Sequence, residues 1–176
     1  MNKQELIALL EKNRIDPSSF GQGKAKSIDD LLEEIEKGET TLSQRIVREV
    51  SVVTINVFAN VDDKEYLLVE HEQIFDDGRK RQRNLPTSLS EKMHPEETVN
   101  KAVARGIKEE LGVDNYSCVG EIINKTEAID SPSFPGVLTI YRIQEVDVLL
   151  DPSEYKPDGY EEKDHDLTSY FRWVPC

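Results

Sequence analysis

The sequence predicts an α/β fold, in which a mixed β-sheet carries a packed helix and follows a helical arm. Three observations support this prediction. Apolar residues recur with helical spacing near the N-terminus, strand-like alternation begins at about residue 48, and an amphipathic helix over residues 95–111 interrupts the strands. We therefore expect two parts, an N-terminal helical arm over residues 1–45 and an α/β domain over residues 46–176.

The arm is predicted to contain two helices. The first is closed by Pro17, and the second begins at a capping signal, Ser27 followed by Asp30. Gly38 suits the left-handed position just after the second helix. The apolar stripes of the two helices are Leu6, Ile7, Leu9 and Leu10, and then Leu31, Leu32 and Ile35.

The strands of the domain are predicted from alternating and β-branched segments. Residues 49–59 and 65–75 read as a hairpin around Asp62 and Asp63, and a further turn follows at residues 76–78. Residues 151–168 are rich in proline and acids, so we expect a loop or a short helix there. The remaining extended segments are 79–85, which is basic and leads into a loop with Pro86 and Ser88, 119–124, 137–150 and 170–174.

Charge and composition exclude several classes of protein. The 176 residues include 22 Lys and Arg against 35 Asp and Glu, a net charge of −13, so nonspecific binding to nucleic acid is not expected. An anionic ligand would need a positive partner, for which a divalent cation is the usual choice. Two cysteines give no disulfide framework, and the three histidines are too dispersed for a zinc site. With no signal peptide or membrane span in the sequence, we expect a cytoplasmic protein.

The helix predicted for residues 95–111 carries the residues that could bind a metal or take part in catalysis. Pro95 suits its first position, and at about 100° per residue the apolar side chains form one stripe with Glu110 in its middle. A carboxylate there is costly unless it is paired, protonated or bound to a metal. Glu109 and Glu110 flank Gly106, and Arg105 can pair with Glu109. Adjacent acids of this kind suit Mg²⁺ or Mn²⁺. The stripe consists of Val99, Val103, Ile107 and Leu111.

Residues 91–113, EKMHPEETVNKAVARGIKEELGV, resemble the Nudix box, the motif of the Nudix hydrolase superfamily. The seven positions that match the family pattern are Glu97, Arg105, Ile107, Glu109, Glu110, Gly112 and Val113. The resemblance implies an α/β/α sandwich and Mg²⁺- or Mn²⁺-dependent hydrolysis of a nucleoside diphosphate linked to another group. It also implies that Glu109 and Glu110 bind the metal, that Arg105 orients them, and that Glu97 supports the junction between loop and helix.

Two positions depart from the family pattern. Glu91 replaces the opening glycine, and Gly106 replaces the glutamate that follows the arginine, a position that often supplies a metal ligand or the general base. A substitute acid could be Glu91 itself or one of Glu127, Glu161 and Glu162. Without a substitute, activity would be weakened or absent, and the alternative function is a catalytically inactive Nudix-like module that binds a nucleotide or a protein.

The basic cluster before the box has two interpretations. Arg79, Arg81 and Arg83 fall on one strand face, where they could hold substrate phosphates. They could also be the solvated charges of an edge strand. The expected partner is thus a small nucleotide diphosphate rather than nucleic acid or membrane, with the helical arm as a surface for a homodimer or another protein.

Overall fold

The computed structural model describes residues 1–83 and 87–176. In these residues, the helices are α1 (Lys3–Lys12), α2 (Ile28–Glu36) and α3 (Val99–Leu111). The strands are β1 (Thr41–Leu42), β2 (Val47–Val61), β3 (Lys64–Phe75), β4 (Lys80–Gln82), β5 (Leu89–Lys92), β6 (Tyr116–Asp130), β7 (Leu138–Leu150), β8 (Tyr160–Asp164) and β9 (Leu167–Pro175). The predicted α/β fold with helices at its N-terminus is confirmed.

The strands form one sheet in the order β6-β7-β2-β3-β9-β8, with β1 and β5 beside β2 and β4 beside β3. Strands β2 and β3 are an antiparallel hairpin, as predicted, and Asp62 and Asp63 form its turn with φ of 50° and 58°. Strand β3 also pairs with β9 over most of its length, and β9 pairs with β8. Residues 84–86, where the sequence predicts the end of the basic strand and the start of a loop, lie outside the described residues.

The chain divides into two compact units. The first comprises residues 1–52, 92–97 and 125–143, and the second comprises residues 53–91, 98–124 and 144–176. In the first unit, the N-terminal residues of α1 and α2 are held by capping boxes, Asn2 with Glu5 and Ser27 with Asp30. The core of this unit is built from Leu6, Leu10, Phe20, Leu31, Leu32, Ile46, Phe134 and Val137.

A buried carboxylate, Glu34, organises the charges of the first unit. Its side chain accepts hydrogen bonds or ion pairs from Lys26 at 2.8 Å, Lys92 at 2.6 Å and the buried Arg48. Burial by itself would raise the pKa of Glu34, but the three cations outweigh it and lower the pKa to about 2. Glu34 is therefore ionised at neutral pH.

The second unit packs α3 through the stripe that its periodicity predicts. Val103, Ile107 and Leu111 are buried, and Val99 is half-buried. The helix ends at Gly112, whose φ of 68° and hydrogen bond to the carbonyl of Lys108 form the expected C-terminal cap. The strands contribute Val53, Ile55, Val57, Ala59, Leu68, Val148, Leu150 and Phe171 to the core of this unit.

Two elements differ from the sequence predictions. Helix α3 begins at Val99 and not at Pro95, because Glu96 has a left-handed φ of 60° that a helix cannot include. Pro95 instead contacts Gly38, where an added Cβ would lie 2.3 Å from the Pro95 ring. The acidic segment 151–168, predicted as loop or short helix, contains strand β8, which is held by its pairing with β9.

Among residues 1–83 and 87–176, we find no helix that combines the length and the apolar character needed to cross a membrane.

The first prediction concerns Glu34. Replacing Glu34 with Ala should lower the free energy of unfolding by about 3–5 kcal/mol, because Arg48 would stay buried without its partner. The matched control is Glu33→Ala, on the exposed side of the same helix, which should change it by less than about 0.5 kcal/mol. Urea denaturation at pH 7 measures both values.

Acid should have the same effect on the wild-type protein. Because the pKa of Glu34 is lower in the folded chain than the usual 4.5, its contribution is present above pH 4.5 and disappears as the pH falls toward about 2. The stability of Glu34→Ala should therefore depend less on pH in this window than that of the wild type. Parallel pH profiles for the two proteins would contradict this role.

Candidate active site

A cavity of about 220 Å³ lies in the second unit beside the C-terminal half of α3. Four of its lining side chains are carboxylates and one is an arginine, so the cavity is strongly acidic. The charged members are Glu70, Glu110, Glu162, Asp164 and Arg83, and the rest of the lining comes from Gln73, Ser88, Leu89, Ser90, Leu167, Ser169 and Phe171. Of these lining residues, the sequence predicts Glu110 and Arg83 as site residues and leaves Glu162 open as a substitute acid.

Glu110 is the residue on which the cavity converges. It is half-buried, as its place in the middle of the apolar stripe predicts, and it shares hydrogen bonds with Glu91 and Glu162. Burial, followed by the negative charges of Glu162 and Glu91, raises the pKa of Glu110 to about 8. Burial and the charge of Asp164 also raise the pKa of Glu162. In this arrangement carboxylates hold a proton that a cation could replace.

Strand β8 brings Glu162 to this cavity. In the hairpin of β8 and β9, Glu162 lies opposite Ser169, and both residues line the cavity. Because successive strand residues point to opposite faces, the neighbouring Glu161 lines a different cavity with His71 and Tyr170. Of the acids that the sequence left open, Glu162 meets Glu110 and Glu161 does not.

Glu91 reaches Glu110 across the surface of α3. Gly106 is buried, and a Cβ added to it would lie only 2.6 Å from the Cγ atom of Glu91. The Glu91 carboxylate accepts a hydrogen bond from Nη1 of Arg105 at 2.8 Å. The side chain of Glu91 therefore fills the notch that the glycine leaves. Glu127, the fourth acid left open by the sequence, is an exposed residue of β6 that belongs to the first unit.

The other residues of the box have different surroundings. Glu109 is 61% exposed and accepts a hydrogen bond from Arg105 at 3.3 Å, the pairing that the sequence predicts. Arg105 thus bridges Glu91 and Glu109. Glu97 precedes α3, and its carboxylate accepts the backbone N–H of His94 at 2.9 Å, which closes a tight turn before the helix.

The three arginines have separate partners. Arg83 donates to Glu70 at 2.9 Å inside the cavity, and Glu70 also accepts from the hydroxyl of Ser169. Arg81 donates to the side chain of Gln73 at 2.8 Å. Arg79 is largely exposed, donates to Asp77 and lies over the ring of Phe75. Only Arg83 of the three lines the acidic cavity.

The donor chemistry of the cavity fits a divalent cation. Carboxylate oxygens are the ligands that Mg²⁺ and Mn²⁺ prefer, and a cation would offset the burial and the neighbouring negative charges that raise the pKa of Glu110. Among the residues described, 1–83 and 87–176, no three His, Cys, Asp or Glu side chains form a ready group for a metal ion. Glu110 is bonded to Glu162 and to Glu91, Glu70 is bonded to Arg83, and Glu91 is bonded to Arg105.

Comparison with known proteins gives a likeness in fold. No family model matches the chain, and no curated protein matches it. Among solved structures, it is similar to the C. elegans Ap4A hydrolase, with 12% identity and a TM-score of 0.41 over 71% of this chain and 79% of that one. It is also similar to the Nudix domain of Shewanella oneidensis NrtR, solved with ADP ribose, with 13% identity and a TM-score of 0.37 over 99% of this chain and 84% of that one. A Nudix hydrolase from Nitrosomonas europaea has 21% identity and a TM-score of 0.34 over 69% of this chain and 70% of that one.

The second prediction concerns the protonation of Glu110. Its pKa of about 8 in the folded chain exceeds the usual 4.5, so folding retains a proton and the metal-free protein should lose stability as the pH rises from 4.5 to 8. The slope should be at most about 1 kcal/mol per pH unit, because the side chain is only half-buried. Glu110→Gln, neutral at every pH, should flatten this slope and raise Tm at pH 8.

Thermal denaturation in a chelator, followed by circular dichroism from pH 5 to pH 9, measures this effect. The neighbouring, exposed Glu109→Gln is the control and should keep the wild-type slope. If Glu110→Gln and Glu109→Gln have the same profile, Glu110 does not titrate in this window.

Proposed function

We propose that this protein is a Nudix-type hydrolase that uses a divalent cation to cleave a nucleoside diphosphate linked to another group. One observation carries the proposal. A helix with a sequence similar to the Nudix box holds Glu110 half-buried in an acidic cavity, where it is bonded to Glu162 of the same cavity and to Glu91 beside it. Clusters of like charge with strongly perturbed pKa values are characteristic of functional sites.

The cation supplies the positive charge that the substrate and the chain both lack. When bound, Mg²⁺ or Mn²⁺ would polarise the diphosphate and lower the pKa of a bound water. Glu110, with Glu162, is suited to hold it, because these carboxylates repel each other in the absence of a positive charge. The net charge of −13 makes binding of a diphosphate without a cation unfavourable.

The remaining box residues have supporting roles in this proposal. Glu109 is a further ligand, and the hydrogen bond from Arg105 orients its carboxylate. Glu97 fixes the turn before the helix through the backbone of His94. Arg83 is suited to bind a substrate phosphate, because its guanidinium lies within the cavity. Its hydrogen bond to Glu70 holds it there.

The third prediction tests this function. With Mg²⁺ or Mn²⁺, the protein should hydrolyse at least one member of a panel of nucleotide diphosphate derivatives that includes ADP-ribose, diadenosine tetraphosphate, NADH and nucleotide sugars. Glu110→Gln should lower kcat/KM by about 100-fold or more, because it removes a charge that the cation needs. The measurement is release of nucleoside monophosphate, followed by chromatography.

The matched control is Glu161→Gln. Glu161 lies next to Glu162 on the same strand but lines the other cavity. The Glu161→Gln variant should therefore be as active as the wild type. Turnover that is unchanged in Glu110→Gln would contradict the proposed site. Equal losses in Glu110→Gln and Glu161→Gln would indicate a general effect of charge.

The fourth prediction separates the three arginines. Arg83→Gln should raise KM by about tenfold, because one charge-assisted hydrogen bond to phosphate is lost, and kcat should change less. Arg79→Gln should change KM by less than about twofold, since Arg79 is paired with Asp77 at the surface. Initial rates over a range of substrate concentrations give both constants. An effect of Arg79→Gln that exceeds that of Arg83→Gln would contradict the assignment.

A non-catalytic module that binds a nucleotide is the second candidate. It is favoured by the carboxylates of the cavity, which bond to each other and to arginines and, in the described part of the chain, form no ready metal group. Such a module should show a rise in Tm with nucleotide and no release of product. Rapid, metal-dependent hydrolysis excludes it.

A further inference from the structure

Glu91 and Gly106 form an interlocked pair in the second unit. Gly106 lies inside α3, where a glycine weakens a helix, so its presence requires a reason. The reason is steric. A Cβ at this position would lie 2.6 Å from Cγ and 3.4 Å from Cδ of Glu91, and 3.5 Å from Ile55. Any larger residue at position 106 would displace the side chain of Glu91.

The Glu91 carboxylate is also held at its far end. Arg105 binds it at 2.8 Å from one side, and it shares a hydrogen bond with Glu110 on the other. The side chain of Glu91 is only 15% exposed. Strand β5, which carries Glu91, thus delivers a carboxylate to the surface of α3, over a helical position that itself has no side chain.

We propose that Glu91 is the third carboxylate of the cation site, supplied from β5, and that position 106 is glycine because a carboxylate from the strand occupies the space of a helical side chain. This inference rests on the proposed function, since it concerns the same cation. It also assigns a reason to the two positions at which the box departs from the Nudix pattern. The two departures are one exchange, in which a side chain is lost from the helix and gained on the strand.

A simple ion pair with Arg105 does not account for the position of Glu91. Arg105 already has Glu109 as a partner, and Glu91 could meet a guanidinium without approaching another acid. Its hydrogen bond to Glu110 places two carboxylates together, which is unfavourable unless a proton or a cation lies between them. The packing of Glu91 into the space above Gly106 brings it to Glu110, and a bound cation would satisfy this contact as a proton does.

The fifth prediction begins with Mn²⁺ binding, measured by isothermal titration calorimetry and by the loss of the free-ion signal in electron paramagnetic resonance. Glu91→Gln keeps an oxygen acceptor for Arg105 and the same shape, and it removes only the charge. It should weaken Mn²⁺ binding by about tenfold or more. Glu161→Gln removes the same charge beside the other cavity and should bind Mn²⁺ as the wild type does.

The exchange itself is tested by moving the carboxylate back to the helix. Glu91→Gly should weaken Mn²⁺ binding, and Gly106→Glu alone should lower Tm by several degrees, because the new side chain collides with Glu91. The double variant E91G/G106E should recover both the Tm lost in Gly106→Glu and Mn²⁺ affinity to within about threefold of the wild type. The Tm comparison is made in a chelator, so it does not depend on activity.

The outcomes separate this inference from the proposed function. If the wild type binds Mn²⁺ and turns over substrate while Glu91→Gln binds Mn²⁺ equally well, only the role of Glu91 is wrong. If the wild type neither binds Mn²⁺ nor hydrolyses any substrate, the proposed function fails and the role of Glu91 fails with it. If the double variant is no better than Gly106→Glu in Tm and Glu91→Gly in affinity, the exchange is wrong.

Discussion

The site depends on the confinement of negative charge beside a helix whose apolar stripe fixes its orientation. Burial of Val103, Ile107 and Leu111 determines how α3 is rotated, and this rotation leaves Glu110 half-buried. In this orientation the carboxylate of Glu110 meets Glu162 and Glu91. Its repulsion from Glu162 and Glu91 is therefore retained in the folded state, at a cost that a bound cation would offset.

Glu34 and Glu110 show how differently a carboxylate that is withdrawn from solvent can be accommodated. Glu34 is surrounded by Lys26, Lys92 and Arg48, and its pKa falls to about 2. Glu110 faces other acids, and its pKa rises to about 8. The first arrangement is complete within the protein, and it accounts for a structural role. The second is complete only with a proton or another positive ion, which is the property expected of a binding site.

The sequence predicts those features that are local in the chain. The stripe of α3, its end at Gly112 and the position of Glu110 on the stripe follow from helical periodicity and one glycine, and all are present in the structure. The predicted start at Pro95 is wrong, because Glu96 has a left-handed backbone and Pro95 contacts Gly38 instead. That contact joins distant parts of the sequence, and no local pattern indicates it.

Strand β8 was missed for a related reason. Its sequence, Tyr160–Asp164, has few β-branched residues and many charges, so its local preference for a strand is weak. Its hydrogen bonds with β9 supply the missing stability. The sequence therefore offers Glu162 only as one of several acids. The strand decides between Glu162 and Glu161, because it points them to different cavities.

The contacts of the arginines in the basic segment also depend on how the chain folds. Alternation places Arg79, Arg81 and Arg83 on one face, but it does not specify what each arginine meets. The partners are Asp77 at a turn, Gln73 on β3 and Glu70 in the cavity, and only the last brings a guanidinium to the acidic site. Arg79 thus lies at the surface and Arg83 lies at the acidic cavity, and phosphate binding by Arg83 stays a prediction.

A motif compared position by position treats Glu91 and Gly106 as two separate losses. In the folded chain they are neighbours, and the side chain that one position lacks is present at the other. A pocket binds a cation through the charges and oxygens that reach it, whichever element carries them. Under the proposal, an incomplete box is therefore compatible with a sufficient set of carboxylates, because the acids that meet Glu110 come from β5 and β8.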